Sequence, residues 1–402
     1  MYNIKLLNKI SKGGLDGFDE NYAYSEEMTN EDAILVRSAS LHEYDFGENL
    51  KAIARAGAGV NNIPLDDCSE KGIVVFNTPG ANANAVKELV LCGLFLSSRK
   101  IVESIRWIDG LKDDQDIAKT AEKGKSNFVG PEIEGKTLGV IGLGAIGVNV
   151  ANAAIKLGMK VKGYDPYIGV NAAWALSKHA RHAASLEEIY QECDYITIHV
   201  PSTKETKGFM NKEAFAQMKT GVRILNFARG DLVNNEDLLA NVASGKINKY
   251  ISDFAAPELI GQENIIILPH LGASTPESED NCAKMAVEEV CEYLENGNII
   301  NSVNFPEVNQ ARMSKTRLCI INKNVPNILA NISKLFADHN LNIENMVNRS
   351  RGEYAYTLID TNDEVRPDII ERIESANGII NVRAIIDLSL IHISEPTRRS
   401  YI

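Results

Sequence analysis

Residues 142–147 read GLGAIG, and they lie between an apolar run, TLGVI, and a helical pattern over residues 145–157. In a G-x-G-x-x-G turn the first glycine makes the tight bend, the second lets a pyrophosphate approach the backbone, and the third lets helix and strand pack closely. Gly142, Gly144 and Gly147 occupy these positions. Alone the motif also fits a glycine-rich turn in a structural sheet, but a strand before it and a helix after it predict a dinucleotide-binding βαβ unit.

The residues around this turn select the cofactor. The helix that begins after Gly144 offers free N–H groups, among them those of Ala145 and Ile146, and the positive end of its dipole to phosphates. Asp165 lies at the end of the next predicted strand, 18 residues after Gly147. Its carboxylate can accept hydrogen bonds from both ribose hydroxyls and would repel a 2′-phosphate. The sequence therefore predicts NAD rather than NADP.

The wider pattern of the sequence predicts three structural domains. Strands and helices alternate from residue 135 to residue 267, which is typical of a parallel sheet covered on both faces. Residues 83–108 show helical periodicity over more than six turns, and the polar residues 109–127 predict a surface excursion between domains. From residue 317 the order strand, helix, strand, strand, helix, strand indicates a split βαβ, ferredoxin-like unit.

Composition excludes several classes of protein. The net charge of −12 argues against a general nucleic-acid surface, which requires clustered Lys and Arg. The six cysteines are scattered without a CxxC pair, which predicts a reducing compartment, no metal site and no disulfide framework. No apolar run approaches the ~20 residues that span a bilayer, and the first residues lack a signal-peptide core. We expect a soluble cytoplasmic protein.

Three polar residues follow predicted strands of the same sheet. They are Arg229 in NFARGD, Glu258 in DFAAPE and His270 in PHLGAST. Taken singly, they are an ion-pairing arginine, a solvated loop glutamate and a structural histidine. Because ligands of open α/β sheets bind at the carboxyl ends of strands, we expect all three to lie near the nicotinamide.

Several separate motifs are shared with one family. They are RAGAGVNNIP (55–64), NTPGANANAVKEL (77–89), EGKTLGVIGLGAIG, HVPSTKETKG (199–208), NFARGDLV and PHLGAST. With this set in this order, the chain resembles the D-isomer-specific 2-hydroxyacid dehydrogenases over residues 1–386. The family's catalytic arginine, glutamate and histidine fall on Arg229, Glu258 and His270. The chain departs from the family where DFAAPE replaces a DVF-type run.

The resemblance also implies the architecture. The expected fold is α/β, with a Rossmann-type doubly wound NAD domain (98–275) inserted in a flavodoxin-like substrate-binding domain (1–97 with 276–305). A C-terminal ferredoxin-like ACT regulatory domain is expected over residues 316–387. Residues 388–402 resemble the translation of a sequencing adapter, although a genuine flexible tail is the alternative.

Hydride transfer from a 2-hydroxy acid assigns a task to each residue of the trio. A base must take the hydroxyl proton while hydride leaves C2 for the nicotinamide, and imidazole titrates near neutrality, so His270 is the candidate. A Glu258 carboxylate hydrogen-bonded to His270 would fix the tautomer and stabilise the protonated ring. Arg229 can form two hydrogen bonds to the substrate carboxylate and 2-oxygen.

Further contacts are implied by the resemblance. Cofactor contacts are expected from Gly142, Gly144, Ala145, Ile146, Gly147, Asp165, His199, Pro201, Phe227, Ala228, Asp253, Gly272 and Ala273. For His199 a place against the nicotinamide ribose and a packing role at a strand end are equally open. Substrate contacts are expected from Arg37, Ser38, Gly59, Val60 and Asn82. Arg37 is the one confident cation for a phosphate group.

The resemblance favours one activity and leaves alternatives. The favoured activity is NAD-dependent oxidation of 3-phospho-D-glycerate, which begins L-serine biosynthesis. An ACT-like sensor suits such a committed step, with L-serine as the effector at Asn322, Asn324 and Asn342. A histidine is usual where Asn322 stands, so a dimerisation module without ligand is the alternative. Other expectations are a homo-oligomer and no nucleic-acid or membrane partner. The competing functions are a hydroxypyruvate or glyoxylate reductase and a non-catalytic NAD-sensing protein.

Overall fold

The computed structural model describes residues 1–386, so the expected non-native tail (388–402) lies outside the described residues. The chain forms two compact units. The first contains Met1–Ala81 and the described residues from Glu279 onward, and the second is Asn82–Ser278. The second unit is therefore an insertion in the first.

The N-terminal part of the first unit is a five-stranded parallel sheet. Its strands have the order β2-β1-β3-β4-β5, the flavodoxin-like order that was predicted. Strand β3, AILV, is buried at every position, as expected for a parallel strand covered on both faces. The elements are β1 (Tyr2–Leu7), α1 (Lys12–Leu15), β2 (Tyr22–Ser25), β3 (Ala33–Val36), β4 (Ala52–Arg55), α2 (Leu65–Glu70) and β5 (Val74–Asn77).

The second unit is a seven-stranded parallel sheet between helices. Its elements are α3 (Ala83–Ser98), α4 (Ile101–Asp109), α5 (Ile117–Gly124), β6 (Thr137–Ile141), α6 (Ala145–Lys156), β7 (Lys160–Tyr164), α7 (Val170–Ala175), β8 (Arg181–His182), α8 (Leu186–Glu192), β9 (Tyr195–Ile198), α9 (Lys212–Gln217), β10 (Val222–Asn226), α10 (Asn235–Ala243), β11 (Ile247–Ser252) and β12 (Ile265–Ile267). The order β12-β11-β10-β9-β6-β7-β8 is doubly wound, with its reversal between β6 and β9. This confirms the Rossmann-type fold and places the glycine turn after β6 at the switch point.

The prediction of one long helix over residues 83–108 was wrong. It is two helices, because Arg99 adopts an extended backbone (φ −108°, ψ 136°) and ends α3. The polar stretch after it contains α5 and a 3₁₀ turn over Lys125–Phe128, and most of its residues are exposed. Helical periodicity continues across the break because α4 starts again two residues later, so the pattern alone hid it.

The first boundary between the compact units lies at residue 81. The reason is the packing of α3, which buries Val86, Val90 and Leu94 in the core of the second unit. The predicted three-domain division stays a prediction.

The first unit continues with a long helix and an antiparallel sheet. These elements are α11 (Pro276–Asn296), β13 (Thr316–Lys323), α12 (Ile328–Asp338), β14 (Asn345–Arg351), β15 (Tyr354–Thr361), α13 (Pro367–Glu374) and β16 (Ile379–Ile386). The strand order β14-β15-β13-β16 with two helices is the ferredoxin-like arrangement that was predicted.

The C-terminal sheet is covered on both faces. Leu318 and Ile320 of β13 pack under α12 and α13, whereas the alternate residues Cys319 and Ile321 join the core around β1–β5 and α11. Arg317, fully buried, pairs with Asp360 at 2.6 Å and donates to the carbonyl of Asn296 at the end of α11. The ferredoxin-like unit is thus part of the first compact unit.

Candidate functional site

The glycine turn has the geometry that its three positions require. Gly142 has φ +92°, and a Cβ there would lie 2.6 Å from the carbonyl oxygen of His199. A Cβ on Gly147 would lie 1.9 Å from the carbonyl oxygen of Gly142, so helix and strand meet only because it is absent. Around Gly144 no described atom lies within 4 Å of the Cβ position. That open space at the start of α6 fits a pyrophosphate.

Asp165 lies at the edge of this turn, where β7 ends. Its carboxylate accepts hydrogen bonds from the backbone N–H groups of Leu143, at 2.8 Å, and Tyr167, at 2.9 Å. A carboxylate has about four acceptor positions, so capacity remains for two ribose hydroxyls. The residues present therefore fit NAD, with Ala145 and Ile146 in the first turn of α6.

His199 follows β9 on the same edge of the sheet. Its Nε2 lies 2.9 Å from Thr197 Oγ1, and within residues 1–386 its buried Nδ1 has no hydrogen-bond partner. Burial lowers the pKa of His199 to about 3, so the ring is neutral at physiological pH. Pro201 follows and is exposed. The orphaned Nδ1 leaves both expectations for His199 open.

The three residues predicted to be catalytic lie after neighbouring strands, but no hydrogen bond joins them among the described residues. Arg229 follows β10, Glu258 lies in the 3₁₀ turn Pro257–Leu259 after β11, and His270 follows β12. The expected hydrogen bond from Glu258 to His270 is not present among the described residues. The exposed Glu258 carboxylate instead accepts from Asn235 Nδ2 at 2.7 Å, which lowers its pKa. The His270 ring lies against Phe254, with centroids 4.9 Å apart.

Asp253 is the carboxylate that lies among the predicted catalytic groups. It is 1% exposed; its Oδ2 accepts from the Gly272 N–H at 2.9 Å, and its backbone carbonyl accepts from the His270 N–H at 2.8 Å. Burial raises its pKa, while the Gly272 hydrogen bond and the charges of His270 and Arg229 lower it. Oδ1 has no hydrogen-bond partner in the described part of the chain. A buried acceptor without a donor is a candidate ligand contact.

The remaining predicted cofactor residues surround these strand ends. Phe227 is buried and Ala228 half-buried after β10, and Gly272 and Ala273 follow β12. The Ala228 carbonyl accepts from Arg229 Nη1 at 2.6 Å. That bond holds one end of the guanidinium and leaves its other N–H groups for a ligand.

The predicted substrate residues lie mostly in the first unit. Arg37 and Ser38 follow β3, and Gly59 and Val60 follow β4. Arg37 is paired with Glu279 at 2.7 Å, both side chains being about 40% exposed. Asn82 begins the second unit, and within residues 1–386 its buried Oδ1 has no partner.

Sequence reasoning missed Arg55. It ends β4 at the same edge as Arg37, and its Nε donates to the Arg37 carbonyl at 3.0 Å. Its guanidinium occupies the space beside Gly57, where a Cβ would lie 2.7 Å from Nη1. The signal was present in RAGAG: an arginine ending an apolar strand, the argument that selected Arg229.

The three C-terminal asparagines lie apart in their contacts. Asn322 is buried, and its Nδ2 donates to the carbonyl of Lys323, whereas Oδ1 has no partner among the described residues. The exposed Asn324 and Asn342 bond to Gly352 and Glu344. The structure does not join the three through hydrogen bonds in the described region.

Residues 1–386 contain neither a candidate metal site nor a candidate membrane-spanning helix. No group of three or more His, Cys, Asp or Glu side chains could hold a metal ion there. No helix in that range has the length and apolar character to cross a membrane.

Comparison with known proteins gives matches over most of the chain. The model of the D-isomer specific 2-hydroxyacid dehydrogenase NAD binding domain matches residues 96–272. A Schizosaccharomyces pombe protein provisionally named as a D-3-phosphoglycerate dehydrogenase is 30% identical over 429 residues, 94% of this chain and 87% of that protein. The D-3-phosphoglycerate dehydrogenase of Bacillus subtilis is 32% identical over 336 residues.

A solved structure agrees with these matches. The NAD⁺-bound 3-phosphoglycerate dehydrogenase of Entamoeba histolytica superposes with a TM-score of 0.60 at 29% identity, over 75% of this chain and 98% of that one. The B. subtilis match covers 79% of this chain but 62% of that protein, so the chain spans under two thirds of that relative. With its NAD-binding domain and a relative matched over nearly its whole length, the chain belongs to the D-isomer-specific 2-hydroxyacid dehydrogenase family.

Proposed function

We propose that the protein oxidises 3-phospho-D-glycerate to 3-phosphohydroxypyruvate with NAD, the first step of L-serine biosynthesis. The observation that carries this proposal is the edge of the seven-stranded sheet, where Arg229, His270 and Asp253 follow neighbouring strands beside the glycine turn. The relatives named as D-3-phosphoglycerate dehydrogenases support the substrate.

The residues divide the work of hydride transfer. Bound NAD supplies the hydride acceptor. His270 takes the proton of the C2 hydroxyl as the hydride leaves the same carbon, so a ketone and a protonated imidazole result. Arg229 forms two hydrogen bonds to the carboxylate and the 2-oxygen, which orients the substrate and stabilises negative charge on that oxygen.

The family resemblance gives Glu258 the task of supporting His270. The buried carboxylate of Asp253 supports the same task from a different position, because its ionised form would lower the energy of the protonated ring when the proton arrives. Asp253 is then a positioning residue that acts on His270, and its Oδ1 is available to the cofactor amide.

Arg37 and Arg55 bind the phosphate group of the substrate in this proposal. Arg37 is neutralised by Glu279, so a phosphate must compete with that carboxylate for the guanidinium. Arg55 lies alongside and supplies the second cation that a dianion requires.

The test is the oxidation of NADH by the purified protein. It is measured with 3-phosphohydroxypyruvate beside hydroxypyruvate, glyoxylate, pyruvate and 2-oxoglutarate. A clear preference for the phosphorylated keto acid supports the proposal. Preference for an unphosphorylated acid keeps the mechanism and makes the protein another 2-hydroxyacid dehydrogenase. No turnover with any acid favours the NAD-sensing alternative.

The regulatory proposal concerns L-serine. We propose that L-serine binds at Asn322, Asn324 and Asn342, because the buried Oδ1 of Asn322 lacks a hydrogen-bond donor in the described region. Serine titrated against the initial rate tests it, and constant rates up to millimolar serine would leave a module without this ligand.

Helices α4 and α5 support a homo-oligomer. Ile101, Ile105 and Ile108 recur at helical spacing on α4 and are exposed, Ile105 by 55%. An exposed apolar stripe of this length marks an interface, and a second copy of the chain is the proposed partner. Light scattering of Ile105→Asp against wild type tests it, with a smaller particle expected.

The six free cysteines suit the proposed reducing, cytoplasmic compartment.

A further inference from the structure

A polar cleft of about 630 Å³ lies in the C-terminal part of the first unit, and the three asparagines of the serine proposal do not line it. One wall is the segment after α11, with Asn301, Ser302 and Glu307. The other wall is β14, the edge strand of the C-terminal sheet, with Asn348, Arg349 and Arg351. None of these residues has a task in the proposed reaction.

The wall after α11 is fixed by hydrogen bonds to the N-terminal sheet. Ser302 pairs with Phe76 in a β-bridge, and the Val303 N–H donates to the Val75 carbonyl at 2.9 Å. Ser302 Oγ also accepts from the Phe305 N–H. This wall is therefore an extension of the sheet next to β5 and is already formed without a ligand.

The β14 wall presents two guanidinium groups. Arg349 and Arg351 are two residues apart, so they point to the same side of the strand with Cα atoms about 7 Å apart. Arg351 Nη1 donates to the Ser302 carbonyl at 2.8 Å, which bridges the two walls and leaves its other donors. Within residues 1–386 Arg349 has no ion-pair or hydrogen-bond partner.

The charge of the cleft is opposite to that of the protein. Its two arginines face a single carboxylate, Glu307, whereas the chain as a whole carries −12. Edge-strand cations also discourage sheet-to-sheet aggregation, but that role requires no cavity behind them. Paired guanidiniums with serine and asparagine groups around a preformed space are the chemistry that holds phosphates and carboxylates.

We propose that this cleft binds a small anionic metabolite, a phosphate ester or a di- or tricarboxylate, held by Arg349 and Arg351. Such a ligand ties the C-terminal sheet to the segment paired with β5. From β5 the connection is short: Asn77 Nδ2 donates to the Ala58 carbonyl at 2.6 Å, next to Gly59 and Val60 of the expected substrate site. Occupancy of the cleft therefore acts on the substrate-binding part of the first unit.

The experiment counts anion sites on the full chain by calorimetry, with inorganic phosphate and with citrate as probes. Wild type is compared with Arg349→Gln/Arg351→Gln. We expect the variant to lose one site, with affinity falling roughly tenfold for each arginine removed. Whichever probe binds more tightly identifies the ligand class. The readout does not depend on turnover, so it stands apart from a failure of the proposed reaction.

The matched control is Arg366→Gln/Arg372→Gln, which removes the arginine just before α13 and one within it, on the opposite face of the same sheet. It should keep the site. The single variant Arg349→Gln protects the test against misfolding, because that side chain makes no contact that the fold needs. Equal binding by wild type and the cleft variant, equal losses in the control, or no binding of either anion by wild type would overturn the proposal.

Discussion

Two carboxylates in the loop after β11, five residues apart, occupy opposite environments. Asp253 is buried beside Arg229 and His270, and burial raises its pKa. Glu258 is exposed, bonded to Asn235, and its pKa is lowered. The resemblance made Glu258 the partner of His270, whereas in the structure the buried carboxyl group near His270 is that of Asp253. A strand end can be identified from a pattern, but which of two nearby acids turns inward depends on packing.

The largest effect is expected at His270, the residue that either carboxylate could support. His270→Asn should lower kcat by about 10²–10⁴, since the proton acceptor is lost, while NADH binding stays near wild type. Steady-state rates with 3-phosphohydroxypyruvate and NADH fluorescence titration measure the two quantities. His42→Asn, at an exposed histidine in the first unit, is the control. Near-full activity of His270→Asn would remove it from the mechanism.

The glycine turn gives the next largest effect and a contrast with the acidic loop. Gly147→Ala places a Cβ 1.9 Å from the Gly142 carbonyl oxygen. We therefore expect the free energy of unfolding to fall by about 1–3 kcal/mol, with a lower melting temperature, and NADH binding to be lost. Gly144→Ala meets open space, so the fold should persist and only NADH affinity should fall. Equal melting losses in both variants would contradict this division.

Exchange of the two acids for amides tests the comparison itself. Asp253→Asn should lower kcat/KM on the order of tenfold to a hundredfold, and Glu258→Gln by much less. Removing a negative charge beside His270 destabilises the protonated ring, so the acid limb of the kcat/KM profile should move to lower pH in Asp253→Asn. If the acid limb of the profile moves only in Glu258→Gln, then the Glu258–His270 pair inferred from the sequence forms when substrate binds.

A third carboxylate, in the other unit, shows what burial does without catalytic neighbours. Glu289 of α11 accepts from Asn301 Nδ2 at 2.7 Å, and burial raises its pKa to about 8. The folded state then holds a proton that the unfolded chain releases above about pH 4.3. The stability that this proton contributes is complete below that pH and is lost as pH rises toward 8, by on the order of 5 kcal/mol.

Glu289→Gln should therefore flatten the dependence of melting temperature on pH between 5 and 9, because the amide cannot ionise. Thermal melts across this range compare it with wild type, and Glu292→Gln on the same helix is the control. An unchanged slope in Glu289→Gln would show that Glu289 is ionised in the fold.

The fold was predicted well where one pattern fixes one element. The glycine turn, Asp165 and the alternation from β6 to β12 gave the doubly wound sheet, and β13 to β16 gave the ferredoxin-like order. The helix over residues 83–108 failed because its break is a two-residue extended segment, which leaves the periodicity almost unchanged. Arg55 was not singled out, although it ends an apolar strand as Arg229 follows one.

What the sequence determined by itself is the set of backbone features: where glycine is obligatory, where strands end, and which polar residues follow them. These depend on local sterics and periodicity, which are written in consecutive residues. Only the tertiary structure decided that Glu279 neutralises Arg37, that Asn235 holds Glu258, and that Asp253 faces His270. Those choices join residues distant in sequence or select among close neighbours, and they follow from burial, which no short stretch of sequence contains.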